Sequence, residues 1–443
     1  MTALFSLIIP AYNSEKHISN CIESILSQNF SKRKYEIIII NDASKDKTQK
    51  ICTEFKKKNK FIKILRNKKN LGVSSSRNLA IKLASGKYII FIDSDDALKR
   101  NSLKKINQIL QDDEIDLLVA LNLAKKEKKI YLNKFRKKNK IHSKKDFNYF
   151  FKFLNSSNNF PFYPWNYIIN RKFFSKNNIY FKQMRIFEDQ EFTARALCAA
   201  KKIKLYKDSF HKHTERFGSL SRIMGFRTIM DCIKTINELC KMLRYDKLNT
   251  EKKKFVHERI NFMLKYFKIH LLTCNSREIK KISFFIKKNI SNFTKIKTKF
   301  LGKIILNQKK IDYIYKSISK YVDKSETLKI NFKKNKLLSI YIFGLGLFGR
   351  ATLQILKKKN INVTAFLDNN KNFYDKKYLG LKIFNPNYLP KINRQELENI
   401  LVLISINNQS TSNKIHGQLL NCGLKNRNIK IINWKKIIGK TYS

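Results

Sequence analysis

Acid is scarce in this chain: 33 Asp and Glu face 93 Lys and Arg, giving a formal net charge of +60 over 443 residues. Glycine (12) and proline (5) are also few, which excludes collagen-like and low-complexity architectures. No apolar run approaches the roughly 18 residues that a membrane-crossing helix needs. The N-terminal Met1-Thr2-Ala3-Leu4-Phe5 has neither the basic region nor the small-residue cleavage site of a secretory signal. A soluble or surface-associated cytoplasmic protein is therefore expected, with peripheral attachment at the inner face of the membrane left open. The seven Cys are odd in number and form no CxxC pair. They read as small buried hydrophobes in a reducing compartment rather than as zinc ligands or disulfides.

What is present is enough to build cores. Hydrophobic residues make up 43% and aromatics 12%, and the length suggests about three domains at roughly 150 residues each. Lysine is spread over every region alongside Asn and Ile, a background bias that coats solvated faces. Contact with an anionic membrane is the second reading of the charge. Nucleic acid is disfavoured, since no aromatic-interleaved RNA motif or basic recognition helix stands out.

The first part alternates short, continuous apolar runs with helical patterns. Leu7-Ile8-Ile9, Ile37-Ile38-Ile39-Ile40 and Ile89-Ile90-Phe91-Ile92 suit parallel strands covered on both faces. Ile18, Cys21, Ile22, Ile25 and Leu26 share one helical face, with Asn13 or Ser14 as the expected cap. Ile51, Cys52 and Phe55 mark a second helix. Leu79, Ala80, Leu83 and Ala84 mark a third, which Gly86 is expected to end in a left-handed cap. Repeated βα order predicts an α/β sheet.

Each strand runs into a polar turn: Pro10-Ala11-Tyr12-Asn13, Asn41-Asp42-Ala43-Ser44 and Asp93-Ser94-Asp95-Asp96. Ligands of open α/β sheets bind beyond the carboxyl ends of the strands, so the three turns are expected to converge on one site. Clustered carboxylates repel unless a cation sits between them, and hard oxygen ligands favour Mg²⁺ or Mn²⁺. The alternative is a solvated turn whose acids cap the helix beginning near Asn101.

These segments, with Asn70-Leu71-Gly72-Val73-Ser74-Ser75-Ser76-Arg77-Asn78 and the run from Ala84 to Asp96, resemble the successive motifs of the family 2 glycosyltransferases in order and spacing. The resemblance covers about the first 110 residues. It implies a GT-A fold and a nucleoside-diphosphate sugar donor, commonly UDP-linked. It implies that Pro10, Ala11, Tyr12, Asn13, Asp42, Arg77, Asp93 and Ser94 bind the donor. Tyr12 would lie against the base, Asp42 would bond the uracil imide, and Arg77 would contact phosphate or base. Asp95 would be the principal metal ligand, with Asp93 beside it and Asp96 a weaker candidate. The blander readings are rim packing for Tyr12, a turn or cap role for Asp42, and an exposed helix cation for Arg77.

Glu188-Asp189 opens a helical stripe of Phe192, Ala196, Leu197 and Ala200. Acids are favoured at a helix N-terminus, so capping is one reading. By the resemblance, which extends to Trp165-Asn166-Tyr167 and Asn178-Ile179-Tyr180-Phe181, Asp189 is the general base and Glu188 its catalytic neighbour. The reaction would be a single displacement with inversion, making a surface polysaccharide or glycolipid from a glycan or lipid-linked acceptor. Arg216-Phe217-Gly218-Ser219-Leu220-Ser221 is similar to a further family element. His213 stands where the family often has Tyr, either as an additional metal or phosphate contact or as a packed surface residue.

From about 220 to 336 helical periodicity and Lys dominate, with almost no Gly or Pro, and predict a helical connector or domain between a GT-A region over 1–219 and a third region over 337–443. In that third region βα order returns. Gly344, Gly346 and Gly349 form a GxGxxG turn between a strand and a helix, and Asp368 ends the next strand at the spacing of a ribose-binding acid. The region resembles Rossmann-like domains appended to bacterial glycosyltransferases. NAD or a nucleotide is its expected ligand if it has one. Two rival readings of the whole chain remain: an NAD-linked oxidoreductase using this turn, and a non-catalytic basic binding protein.

Overall fold

The structure is a computed structural model that describes residues 3–111, 114–122, 140–156, 160–214, 226–243, 248–271, 274, 277–278, 281–282, 284, 339–358, 360–406, 408–432 and 434. The segment Arg216 to Ser221 and most of the Lys-rich stretch ahead of residue 339 lie outside these residues. The chain packs as two compact units, Met1–Thr214 with Lys234–Ile260, and Glu215–Ile233 with Asn261–Ser443.

The first unit runs β1 (Phe5–Ala11), α1 (Ile18–Leu26), β2 (Tyr35–Asn41), α2 (Thr48–Lys58), β3 (Ile62–Arg66), α3 (Val73–Leu83), β4 (Tyr88–Phe91), β5 (Ala97–Leu98), α4 (Ser102–Leu110), β6 (Leu117–Ala120), β7 (Lys140–Ile141), α5 (Lys144–Ser156), β8 (Tyr167–Asn170), α6 (Arg171–Asn177), α7 (Glu188–Ala199), β9 (Ile203–Tyr206) and β10 (His211–Lys212). Two longer helices follow, α8 (Phe226–Leu243) and α9 (Thr250–Leu271). The main sheet has the order β3-β2-β1-β4-β8-β6-β9-β7. Strands β3, β2, β1 and β4 are mutually parallel, whereas β8 is antiparallel to both β4 and β6.

Both faces of the parallel part are covered, which is why its strands read as unbroken apolar runs. Leu7, Ile9, Ile37 and Ile39 point to the face packed by Cys21, Ile22, Ile25 and Cys52 of α1 and α2. Ile8, Ile38 and Ile40, on the opposite face, are equally buried. Each fully buried Ile contributes about 1.5–3 kcal/mol, so this alternating wall is a large part of what holds the sheet together. All seven Cys are free and buried, as expected of small hydrophobes.

Two local expectations are corrected. Helix α1 has no side-chain cap: the Ser14 carbonyl accepts from His17 N and Ile18 N, while the Ser14 hydroxyl turns to the site. Gly86 is not a left-handed cap; α3 ends at Leu83 with extended backbone at Ala84. Glycine is needed at 86 because a Cβ there would lie 2.6 Å from Ser6 N and 2.7 Å from Ser6 Oγ. This close approach lets Gly86 N donate to Ser6 Oγ, which in turn donates to the buried Glu36 carboxylate at 2.6 Å. Gly86→Ala is expected to cost about 1–3 kcal/mol through overpacking against β1, read as a lower urea midpoint with unchanged slope.

The second unit carries β11 (Ser339–Phe343), α10 (Leu347–Lys358), β12 (Ala365–Leu367), β13 (Lys377–Tyr378), β14 (Leu381–Phe384), α11 (Arg394–Glu398), β15 (Ile400–Ile404), α12 (Gln409–Asn421) and β16 (Ile429–Ile431). Its sheet order is β13-β14-β12-β11-β15-β16, parallel except at β13. Alternate residues face opposite cores: Tyr341, Phe343, Val402 and Ile404 pack with Ile415 and Leu419 of α12. Ile340, Ile342, Leu401 and Leu403 pack with Leu353 and Leu356 of α10. The period-2 alternation of a strand divides these residues between the two layers.

Candidate active site

Because β1, β2 and β4 are adjacent and parallel, their carboxyl ends emerge at one edge of the sheet. The three polar turns do converge there, and a lattice of hydrogen bonds joins them. Asn13 N donates to Ser44 Oγ, and Lys45 N to Asn13 Oδ1. Ser14 N donates to Thr48 Oγ1, and Glu15 N to Asp46 Oδ2. The Ser14 and Ser94 hydroxyls meet at 2.7 Å, and Cys21 Sγ lies 3.6 Å from Asp93 O. Asn13 and Ala43 hold φ of 47° and 58°, and Phe187, just before α7, holds 66°. Non-glycine residues in this left-handed region carry strain, which gathers where surrounding contacts over-determine the backbone.

Within this frame several expected donor contacts have other partners. Asp42 is buried, and its carboxylate accepts from Asn67 Nδ2, Leu71 N and Gly72 N at 2.7–2.9 Å. It therefore shapes the loop leading into α3. Ser94 is a buried staple to Ser14. Asn13 is bonded to the β2 turn through both its backbone and its side chain. Ala11 is buried at the end of β1, Pro10 sits within that strand, and Tyr12 stays 44% exposed and open to a ligand.

Arg77 departs furthest from expectation. It is not an exposed cation, since its side chain is only 4% exposed. Nη2 donates to Asp93 Oδ1 and Nη1 to Glu188 Oε1, each at 2.8 Å, with the guanidinium 5.1 Å from the Phe181 ring centre. The planar fork thus bridges the acidic turn to the second acid pair. Burial works against the charged guanidinium, but Asp93 and Glu188 outweigh it and raise its pKa. Helix α3 fixes the geometry further. Ser74 Oγ donates to Met184 O, and Asn78 exchanges two hydrogen bonds with the Phe181 backbone, holding the segment that leads into α7.

The two acids opening α7 divide in role. Glu188 is buried against Arg77, whereas Asp189 is half-buried and bonded only locally, by Gln190 N to Oδ1 at 2.8 Å. Burial pushes the Asp189 carboxyl well above the usual carboxylate range; Glu188 adds to the rise and Arg77 opposes it. Burial also raises Glu188, against Arg77.

In the acidic turn, Asp95 is partly exposed and Asp93 keeps Oδ2 clear of its Arg77 bond. Asp96 is buried and accepts from Thr214 N at 2.9 Å, with His213 Nδ1 3.0 Å away. That hydrogen bond to Asp96 raises the His213 pKa, and the ring stacks 5.5 Å from Trp165. Asp96 thus organises the turn, and His213 is committed to it through Nδ1. Among the described residues no three His, Cys, Asp or Glu side chains gather as a metal cage. Asp95 and Asp93 Oδ2 nonetheless suit Mg²⁺ or Mn²⁺, which take one or two carboxylates and draw their other ligands from phosphate and water.

Beside Tyr12, on the β2 side, opens a cleft of about 970 Å³ bordered by residues 43–47 and 66–70 in part. None of Asp93, Asp95, Glu188 or Asp189 lines it. In the second unit, the glycines of the GxGxxG turn answer to the backbone. Gly344 holds φ of 96°, and a Cβ on Gly349 would overlap the Gly344 carbonyl. Asp368, expected to bind ribose, accepts from Leu345 N at 2.7 Å and from Asn370 N at 2.9 Å. These two bonds anchor the turn to the end of β12.

Residues 6–178 match the family described as Glycosyl transferase family 2. Residues 334–431 match a family described as C2185-like, N-terminal. The chain is 28% identical over 233 residues to the uncharacterized glycosyltransferase EpsJ of Bacillus subtilis, covering 52% of this chain and 66% of that protein. It is 29% identical over 226 residues to the poly(ribitol-phosphate) β-N-acetylglucosaminyltransferase TarS of Staphylococcus aureus, covering 48% of this chain and 36% of TarS. A crystal structure of S. aureus TarS overlays with a TM-score of 0.47 at 21% identity, over 72% of this chain and 53% of that one. The chain thus spans about a third to two thirds of the length of these relatives. Among the described residues no helix is long and apolar enough to cross a membrane.

Proposed function

We propose that the chain is an inverting glycosyltransferase that moves a sugar from a nucleoside-diphosphate donor, UDP-linked by preference, to a hydroxyl of a glycan or lipid-linked acceptor in surface polymer synthesis. The carrying observation is the Arg77 bridge, which ties the donor-side acid Asp93 to the acid pair that supplies the base. TarS, named for transfer of N-acetylglucosamine to a poly(ribitol-phosphate), supports this class of reaction.

Asp189 takes the proton from the acceptor hydroxyl. The oxygen attacks the anomeric carbon, the bond to the diphosphate breaks with its electron pair leaving on the phosphate oxygen, and configuration inverts. A raised pKa suits this role, because a stronger base takes the proton more readily once deprotonated. Asp95 and Asp93 would hold Mg²⁺ or Mn²⁺, which when bound supplies charge neutralisation to the departing diphosphate. Arg77 acts on this reaction by positioning Asp93 and Glu188 rather than by touching the donor. Tyr12 offers its exposed ring to the base.

The test is metal-dependent hydrolysis across a panel of nucleotide sugars. Asp95→Ala is expected to abolish that turnover while circular dichroism and thermal unfolding stay unchanged. Undiminished turnover in this variant would remove Asp95 as the metal ligand.

A further inference from the structure

On the β8 side of the acidic turn stands a column of aromatic rings to which donor binding and proton transfer give no role. Strand β8 pairs antiparallel with β4, Ile168 opposite Ile90, so the residues just before Tyr167 lie at the edge where β4 runs into Asp93. There the Tyr163 and Trp165 rings stack 4.0 Å apart at 9°, and the His213 ring lies 5.5 Å from Trp165 at 13°. Through His213 Nδ1 the column is tied to Asp96. Its backbone is stiff. Pro161 and Pro164, two of the five prolines in the chain, bracket Tyr163, each with φ fixed by its own ring. Tyr167 Oη donates to Pro161 O, Asn166 N to Tyr163 O, and Asn166 Nδ2 to Ala120 O, at 2.6–3.0 Å. Trp165 is 9% exposed and backs the column, whereas Tyr163 is 39% exposed. A tyrosine held by a stacked neighbour has already lost side-chain freedom, so a ligand that meets it costs little further ordering.

The 3-10 turn Pro164–Asn166 packs on both β4 and α7. The Glu188–Arg77–Asp93 bridge holds the start of α7 at this same edge. The column therefore borders both the acidic turn and the helix that carries Asp189. Tyr12, which meets the donor base in the proposed reaction, follows β1, on the other side of β4 in the sheet order β2-β1-β4-β8. We propose that Tyr163, backed by Trp165, seats the acceptor and that the residue seated there is a cyclic sugar; this rests on the transferase reading of the site. The hydroxyl that Asp189 deprotonates belongs to the acceptor, so the acceptor enters on the side of α7, away from the donor base. Carbon-bound hydrogens on one side of a pyranose form a contiguous apolar patch of positive partial charge, which the electron-rich aromatic surface attracts. An open-chain polyol presents hydroxyls on every side, has no such patch, and loses more torsional freedom when ordered.

The test is a saturation-transfer NMR titration of the full chain with the methyl β-pyranosides of glucose, galactose and N-acetylglucosamine, and with ribitol as the open-chain comparison. At least one glycoside is expected to bind, and Tyr163→Ala is expected to weaken it roughly 3- to 10-fold. Tyr163→Phe keeps the ring and is expected to bind within about twofold of the unaltered chain. Tyr149→Ala removes another ring, 52% exposed on α5, and is expected to change affinity less than about twofold. Failure of every glycoside to bind, or an equal loss in Tyr149→Ala, would overturn the proposal. So would a loss in Tyr163→Phe as large as in Tyr163→Ala, or ribitol binding as tightly as the best glycoside. Nucleotide-sugar hydrolysis, in which water replaces the acceptor, is measured on the same Tyr163→Ala protein. Retained hydrolysis with weakened glycoside binding supports the proposal, and joint loss would assign Tyr163 to the donor or to folding and overturn it. Absent hydrolysis in the unaltered chain, with glycoside binding that still depends on Tyr163, would overturn the transferase reading and the acceptor role while keeping Tyr163 as a cyclic-sugar contact.

Discussion

Asp189→Asn is expected to retain UDP binding and to lose sugar transfer by roughly 10²- to 10⁴-fold, the usual contribution of a positioned general base. The substitution keeps the side chain's size and its bond from Gln190 N while removing the proton acceptor. Calorimetric titration with UDP and turnover of the nucleotide sugar read the two effects separately. Full turnover in the variant would exclude Asp189 as the base. The unaltered protein carries a related signature. Burial and Glu188 hold the Asp189 carboxyl above its usual range, so its basic form appears only at higher pH. Transfer is therefore expected to be lost as pH falls, with a midpoint above the roughly 4 of an unperturbed aspartate. An acid limb at or below that value would show that another group limits the rate.

Arg77→Met is expected to destabilise the chain by about 3–5 kcal/mol, because it leaves buried Glu188 and partly buried Asp93 without the cation that compensates them. Urea midpoints measure this cost. Adding Glu188→Gln to that variant removes the stranded buried charge, and the double variant is expected to recover part of the loss. A cost below about 1 kcal/mol for the single variant, or no recovery in the double, would contradict the bridge. Arg77→Lys is expected to fall well short of rescue, since one ammonium cannot span two carboxylates as the planar fork does.

The strands and the edge at which they end were legible because their signal is local. Doubly covered parallel strands read as unbroken apolar runs, and the polar turn after each run marks the carboxyl end. The stripe Phe192, Ala196, Leu197 announced α7 in the same way. The burial of Arg77 was not legible because its two partners lie 16 and 111 positions away. A hint was present all the same: Ser74, Ser76, Ala80 and Ile81 are small or apolar and share its side of α3, a face that packs against the sheet. Gly86 looked like a helix cap because a glycine shortly after a helical pattern usually is one. Its actual constraint, the passage of β1 within 2.6 Å of where a Cβ would stand, comes from strand pairing. Asp368 sat at the spacing of a ribose acid, and that spacing alone does not reveal its bonds from Leu345 N and Asn370 N.

The scarce acids of this chain show where the boundary falls. The sequence by itself determined that Asp42, Asp93, Asp95, Glu188 and Asp189 stand at strand ends and at a helix start, since periodicity and turn chemistry act over a few residues. Only the tertiary structure decided their duties. Asp42 holds a loop, Asp93 and Glu188 share Arg77, Asp96 holds the acidic turn, and Asp95 and Asp189 keep exposed surface. Burial and long-range hydrogen bonding set those differences, and both depend on which distant segments the sheet order brings together.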